Sequence, residues 1–343
     1  MGERIKVVQI GSSHEHAGGK LRTLRNFVSD EFEVAGFVDD RARVAFPLYS
    51  YACDPTVYAG LRRMTVDEAL NVPDLGAVFV ETQSDDLVPV ALRCAELRLP
   101  IHLDKPAGED MALYRKLLSE CARKNVPLQL GYMFRYNRAM QFCREAVRNG
   151  WLGEIFEISA GMSHNYGGDE YRDYIGHFRG GLIFNLGCHF IDFAVSVLGR
   201  PSMVRSVLSA APGSPDHIKN NCVAILGYPH ALVTIRVCSC EVNGSCNRRL
   251  KVCGTRGTIE MSPVERFDGQ ELQLRLTLAE GNECYSAGTH TVDCGICGDR
   301  YEAQLRALAR IIRGEEKNPY SLEHEALVQE VTLAASGILK WEP

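Results

Sequence analysis

Two side chains in this sequence are suited by type and setting to chemistry on an alcohol. The first is Lys105, in Leu103-Asp104-Lys105-Pro106, where it follows an apolar run, Ile101–Leu103, that reads as a buried strand. The second is His189, in the segment Gly180-Gly181-Leu182-Ile183-Phe184-Asn185-Leu186-Gly187-Cys188-His189-Phe190-Ile191-Asp192. That segment is apolar almost all round, so a helix over Ile183–Leu198 is expected to be buried. Within it Asn185, His189, Asp192 and Ser196 recur at i, i+4, i+7 and i+11, one stripe of a 3.6-residue period. An unpaired buried polar group costs roughly 1–3 kcal/mol, so the stripe must face partners, water or a ligand. A strand-end cation and a buried imidazole are the parts needed to polarise and deprotonate a hydroxyl.

A third feature precedes them. Gly11-Ser12-Ser13-His14-Glu15-His16 follows the first strand and opens the first helix, where a dinucleotide-binding loop would lie. The G-x-G-x-x-G form needs glycine at 11, 13 and 16, and only Gly11 is present. Ser13 is small enough for close approach of a pyrophosphate, and its hydroxyl can donate to it. His16 stands where a glycine usually lets helix and strand pack closely. Asp39 ends the second strand 28 residues after Gly11. A carboxylate there accepts from both ribose hydroxyls, which favours NAD; Arg41 and Arg43 keep NADP as the alternative. The expected cofactor contacts are Gly11, Ser12, Ser13, His14, Asp39 and Lys105.

The elements that must carry these residues fall into two groups. Up to about residue 130, strand-like and helix-like runs alternate, which implies a Rossmann-like, doubly wound parallel sheet. From Met203 onward strand-like runs follow one another without helices, around turns at Tyr228-Pro-His230 and Gly254-Thr-Arg-Gly257. They imply a large, mostly antiparallel open sheet in an α+β domain. The expected domains are 1–132 for the cofactor and 133–343 for substrate and oligomerisation, with the C-terminal helix returning to the first.

Composition removes other classes. A net charge of −5 offers no basic footprint, so nucleic acid is not an expected partner. No apolar run approaches the length of a membrane span. The chain goes from Met1 almost directly into a strand, with no signal peptide, and a cytoplasmic location is expected. Its 13 cysteines are scattered, and free thiols are the expected state. Cys294-Gly-Ile-Cys297 lacks a second close pair, and no spacing supports a metal site from His14, His16, His164 and His177, so no metal is expected.

Lys105-Pro106 at a strand end, the Gly180-Gly181 pair and Gly187-x-His189-x-x-Asp192 resemble the glucose–fructose oxidoreductase/inositol dehydrogenase (Gfo/Idh/MocA) family. The resemblance covers nearly the whole chain, including the order of the domains. It implies that the family's catalytic lysine is Lys105 and its catalytic histidine His189. Where the family has an aspartate, this chain has Asn185, which cannot ionise but can hydrogen-bond a hydroxyl. Gly131–Tyr136 resembles the crossing between domains and brings Arg135 toward the substrate. The loop at 163–179 adds Tyr166 and His177. The implied function is an NAD(P)-dependent oxidoreductase acting on a ring hydroxyl of a sugar, glycoside or cyclitol. The alternatives are an NAD-dependent glycosidase using transient oxidation and a non-catalytic sugar or nucleotide sensor. A homodimer or homotetramer through the late sheet is implied as well.

Overall fold

The computed structural model describes residues 3–43, 55–164 and 169–342. The chain divides into two compact units, one of residues 1–133 with 299–329, the other of residues 134–298 with 330–343. Among the described residues no helix is long and apolar enough to cross a membrane.

The first unit is built on a five-stranded parallel sheet in the order β2-β1-β3-β4-β5. Its strands are β1 (Ile5–Ile10), β2 (Phe32–Val38), β3 (Ala77–Val80), β4 (Ile101–Leu103) and β5 (Leu128–Leu130). Val7, Val8, Val78, Phe79, Ile101 and Leu103 have no exposed surface, as expected of parallel strands covered on both sides. The helices are α1 (Ala17–Asn26), α2 (Val66–Leu70), α3 (Ser84–Glu96) and α4 (Met111–Lys124). Local chemistry sets several of their starts. Thr65 and Glu68 close a capping box on α2, and Asp110 accepts from the Leu113 N–H on α4. The helix α8 (Glu302–Arg313) belongs to this unit through a buried amide exchange with β5. Gln304 donates to the Leu130 carbonyl at 2.8 Å, and Gln129 donates to the Gln304 carbonyl at 3.1 Å.

The second unit holds an eight-stranded sheet in the order β13-β12-β11-β10-β6-β9-β8-β7. These strands are β6 (Ile155–Ser163), β7 (Met203–Ser209), β8 (Asn221–Gly227), β9 (Leu232–Cys238), β10 (Arg249–Gly254), β11 (Gly257–Met261), β12 (Glu271–Leu278) and β13 (Gly288–Ile296). All pairings are antiparallel except β6 with β9. On β12 every second residue is buried, from Leu272 to Leu278, while Glu271, Gln273, Arg275 and Thr277 are exposed. One face therefore packs on the unit's own core and the other stays open. The remaining helices are α5 (Arg138–Arg148), α6 (Asp169–Gly176), α7 (Cys188–Leu198) and α9 (Leu322–Ala335), the last running from the first unit into the second.

Two elements differ from the sequence expectation. The single helix over Ile183–Leu198 is a π-helical turn at Ile183–Gly187 that leads into α7. Such turns insert a residue into the helical ladder and cluster at functional sites. The strand β13 was not expected, because Gly288, His290 and Gly295 interrupt its apolar alternation. It is made instead by backbone pairing along β12, from Leu278↔Gly288 to Glu271↔Ile296.

Candidate active site

In the first unit, chemistry gathers at the carboxyl ends of the strands. Gly11 ends β1 with φ +102°, and a Cβ there would lie 2.4 Å from the backbone carbon of Glu81. Only glycine allows this approach. The parallel register Val80↔Leu103 sets the next residues, Glu81 and Asp104, side by side. Both carboxylates take the buried Lys20 ammonium, each at 2.9 Å. Asp104 also lies 2.9 Å from His14 Nδ1 and 3.1 Å from His16 Nδ1, and it accepts the Lys105 N–H at 2.6 Å. The Lys105 side chain is fully buried, with Nζ 3.4 Å from Glu15 Oε1, and the Lys105–Pro106 peptide bond is cis.

The charges in this cluster control one another. Burial works against the Asp104 charge, but His14, Lys20 and His16 outweigh it and hold the carboxyl well below the usual carboxylate range. Burial and the charge of Asp104 push Glu81 well above its usual range. Burial pushes His16 down from 6.5 to about 4. A histidine depressed in this way is neutral when folded, while the unfolded chain takes up a proton below its own, higher pKa. Its contribution to stability is therefore whole above pH 6.5 and is lost as the pH falls toward 4. At about 1.4 kcal/mol per pH unit, that shift amounts to roughly 3 kcal/mol. Urea unfolding between pH 7 and 4 is expected to show this loss in the wild type and not in His16→Gln. Equal pH slopes for the two proteins would refute it.

The cofactor-loop residues are held by the two aspartates after β2. Ser12 donates its N–H to Asp40 Oδ1 at 2.8 Å, and Ser13 donates its hydroxyl to Asp40 Oδ2 at 2.6 Å. Asp39 accepts from the Ser12 hydroxyl at 2.9 Å and takes the Arg41 guanidinium through both oxygens at 2.8 Å. The bond from Arg41 holds Asp39 below the ordinary carboxylate range. Arg63 stands 3.4 Å from the same carboxylate. Sequence reading named Asp39 but passed over Asp40, Glu15, Lys20 and Glu81. The pair Asp39-Asp40 directly after a strand was a usable signal for the second aspartate. The buried lysine had none, because Lys is rarely buried and gives no local pattern.

These residues fit a dinucleotide. The close approach at Gly11, the loop opening α1, and a carboxylate ending β2 are the cradle such a group requires.

In the second unit, Asn185, His189 and Asp192 are each about 1% exposed. The His189 ring lies 4.9 Å from that of Phe134. Asp192 takes Arg135 at 2.7 Å and Arg144 at 3.4 Å, and Arg144 also donates to the Ser196 hydroxyl at 3.0 Å. The far half of the polar stripe is thus held by arginines, Arg135 among them, while Asn185 and His189 form its near half. Upstream, Gly181 has φ +56°, and a Cβ there would lie 2.3 Å from the Lys219 carbonyl oxygen. The glycine pair lets this segment lie against residue 219, whose carbonyl accepts the Leu182 N–H at 2.8 Å. His177 is exposed, just past α6, with its N–H on the Tyr174 carbonyl. Tyr166 lies outside the described residues. His164 is buried, 2.6 Å from Arg248, which in turn pairs with Glu265 at 3.0 Å.

A family profile described as the GFO/IDH/MocA C-terminal domain matches residues 140–260. The oxidoreductase YhhX of Escherichia coli is 27% identical over 139 residues, 40% of this chain and 40% of that protein. The myo-inositol 2-dehydrogenase of Thermotoga maritima is 24% identical over 133 residues, 39% of each chain. The chain thus aligns with about two fifths of the length of each of these relatives. An oxidoreductase from Agrobacterium radiobacter, solved with NAD+, L-tartaric acid and magnesium, superposes with a TM-score of 0.78 at 15% identity, over 97% of this chain and 95% of that one. The profile match within residues 140–260 and this fold, with Lys105-Pro106 and Gly187-x-His189 set in it, make the chain similar to oxidoreductases of the Gfo/Idh/MocA family.

Proposed function

We propose that this chain is an NAD(P)-dependent dehydrogenase of a ring hydroxyl on a sugar, glycoside or cyclitol. The observation that carries the reading is the pairing of types within each unit. A buried lysine sits at a strand end beside a dinucleotide loop, and a buried histidine shares a helical stripe with an asparagine. The inositol dehydrogenase among the relatives supports the substrate class.

Gly11, Ser12, Ser13 and His14 would hold the pyrophosphate side of the cofactor, and Asp39 the ribose. A bound nicotinamide supplies the hydride acceptor. His189 takes the proton of the hydroxyl as general base. Lys105 donates to the same oxygen and stabilises negative charge as it develops. Asn185 positions the hydroxyl through its amide, and Arg135 supports that wall by fixing Asp192. Tyr166 and His177 would meet the other hydroxyls.

A screen of NAD and NADP reduction against sugars, cyclitols and glycosides tests the reading. Net cofactor reduction is expected with a cyclic polyol. Turnover of a glycoside without net reduction would favour the transient-oxidation glycosidase, and no turnover on any panel member would favour a sensor.

Cofactor preference depends on Asp39. The wild type is expected to favour NAD, because the carboxylate accepts from ribose hydroxyls and repels a 2′-phosphate. Asp39→Ala removes that acceptor and its repulsion of a 2′-phosphate, so the ratio of kcat/KM for NAD over NADP should fall by roughly 10–100-fold, as for a lost charged hydrogen bond. A wild type that already prefers NADP would instead make Arg41 the determinant.

The open face of the second sheet supports self-association. It exposes Leu232 at 58% beside Thr234, and Lys251, Glu260 and Arg275 pair with one another on the same face, a surface of balanced charge that a facing copy can cover. A homodimer or homotetramer through this sheet is expected in light scattering, and a monomer at micromolar concentration would overturn it.

A further inference from the structure

We infer that His14, His16 and Asp104 form a binding site for a first-row divalent metal ion of the zinc or cobalt class. The inference goes beyond the oxidoreductase reading and does not depend on it. One ligand atom from each residue lies within 4.8 Å of the other two, and all three residues are buried. His14 Nδ1 is 2.9 Å from Asp104 Oδ2, and His16 Nδ1 is 3.1 Å from both carboxylate oxygens. In a tetrahedral or octahedral shell with bonds of about 2.0–2.1 Å, neighbouring donors are roughly 3.0–3.4 Å apart. The donors here are already spaced close to that. Two imidazoles and a carboxylate are a nitrogen–oxygen set that suits zinc, cobalt or iron and leaves a further position open.

A second observation concerns protons rather than distances. His14 Nδ1 accepts the backbone N–H of His16 at 3.3 Å, so it presents a lone pair. Asp104 Oδ2, also an acceptor, faces the same nitrogen at 2.9 Å. Two acceptors so close need a cation or a proton between them. An ion placed between them would be held by the nitrogen lone pair and the carboxylate together.

Lys20 is the counterweight, since its ammonium shares Asp104 Oδ2 at 2.9 Å. It has Glu81 as a second carboxylate at 2.9 Å and can stay on that partner when an ion takes Asp104. The ion would tie the loop after β1 to the end of β4, one residue before Lys105.

The test is a cobalt(II) titration of the full, chelator-treated chain, followed by visible absorption. Saturation at one ion per chain is expected, with the d–d bands of nitrogen and oxygen ligands and no thiolate charge-transfer band. His14→Ala and His16→Ala should each weaken binding by at least ~100-fold, since loss of outer-shell partners alone costs 10–100-fold. No saturable binding would overturn the proposal and leave a cluster joined by hydrogen bonds only. A thiolate band would overturn it too, by placing the ion on exposed thiols such as Cys240, Cys246 or Cys284. Unchanged affinity in both variants would do the same. Because the wild-type spectrum separates the two ligand sets by itself, a variant that fails to fold does not remove the test.

Discussion

Lys105→Ala and His189→Ala are each expected to lower kcat by roughly 10²–10⁴, the range for a group that moves a proton or meets developing charge. Both side chains are buried, Lys105 at 0% and His189 at 1% exposure, so neither change can be made good by a mobile neighbour. Cofactor affinity, read by fluorescence titration, should survive His189→Ala, because the loop residues and Asp39 lie in the other unit. Lys105→Ala leaves Glu15 without its ammonium partner at 3.4 Å, so its folding should be checked by circular dichroism. Near-normal turnover in either folded variant sinks the proposed roles. Asn185→Asp restores the carboxylate usual in the family. If Asn185 only positions a hydroxyl, that variant should keep part of the activity and change the pH profile.

The second large effect is on stability. Asp192→Ala is expected to cost about 3–5 kcal/mol, because it removes the carboxylate that pairs with the Arg135 guanidinium in the interior. Arg135 is 3% exposed and reaches Asp192 through Nε at 3.1 Å and Nη2 at 2.7 Å. Arg144 holds the other carboxylate oxygen at 3.4 Å, so the change removes a carboxylate shared by two cations. The double change Arg135→Met with Asp192→Leu should lose much less, since well-packed apolar groups can replace a buried pair with little net cost. Urea unfolding of the three proteins measures both outcomes. A loss below about 1 kcal/mol in Asp192→Ala would mean that water or a rotated arginine compensates.

Local pattern carried the fold. The alternation of apolar runs with helical stretches before residue 130 reports a parallel sheet, because each strand must be covered on both sides. The period of two in Leu272–Leu278 reports a half-open antiparallel strand in the same way. The candidate catalytic residues were legible for a related reason. Lys105 and His189 stand out because a charged or polar group at the end or on the face of an apolar run is costly unless used.

What the tertiary structure alone decided is which of these groups meet. β6 and β9 pair in parallel although some seventy residues separate them, and β13 exists only because β12 offers it backbone partners. His16 and Asp104 are 88 residues apart in sequence and 3.1 Å apart in space. Arg135 and Asp192 join across 57 residues at 2.7 Å, which turns half of a polar stripe from a ligand-facing surface into a structural pair. Period and spacing describe one element at a time. Register, strand order and the partners of a buried charge depend on contacts between distant elements, and these form only when the whole core is packed.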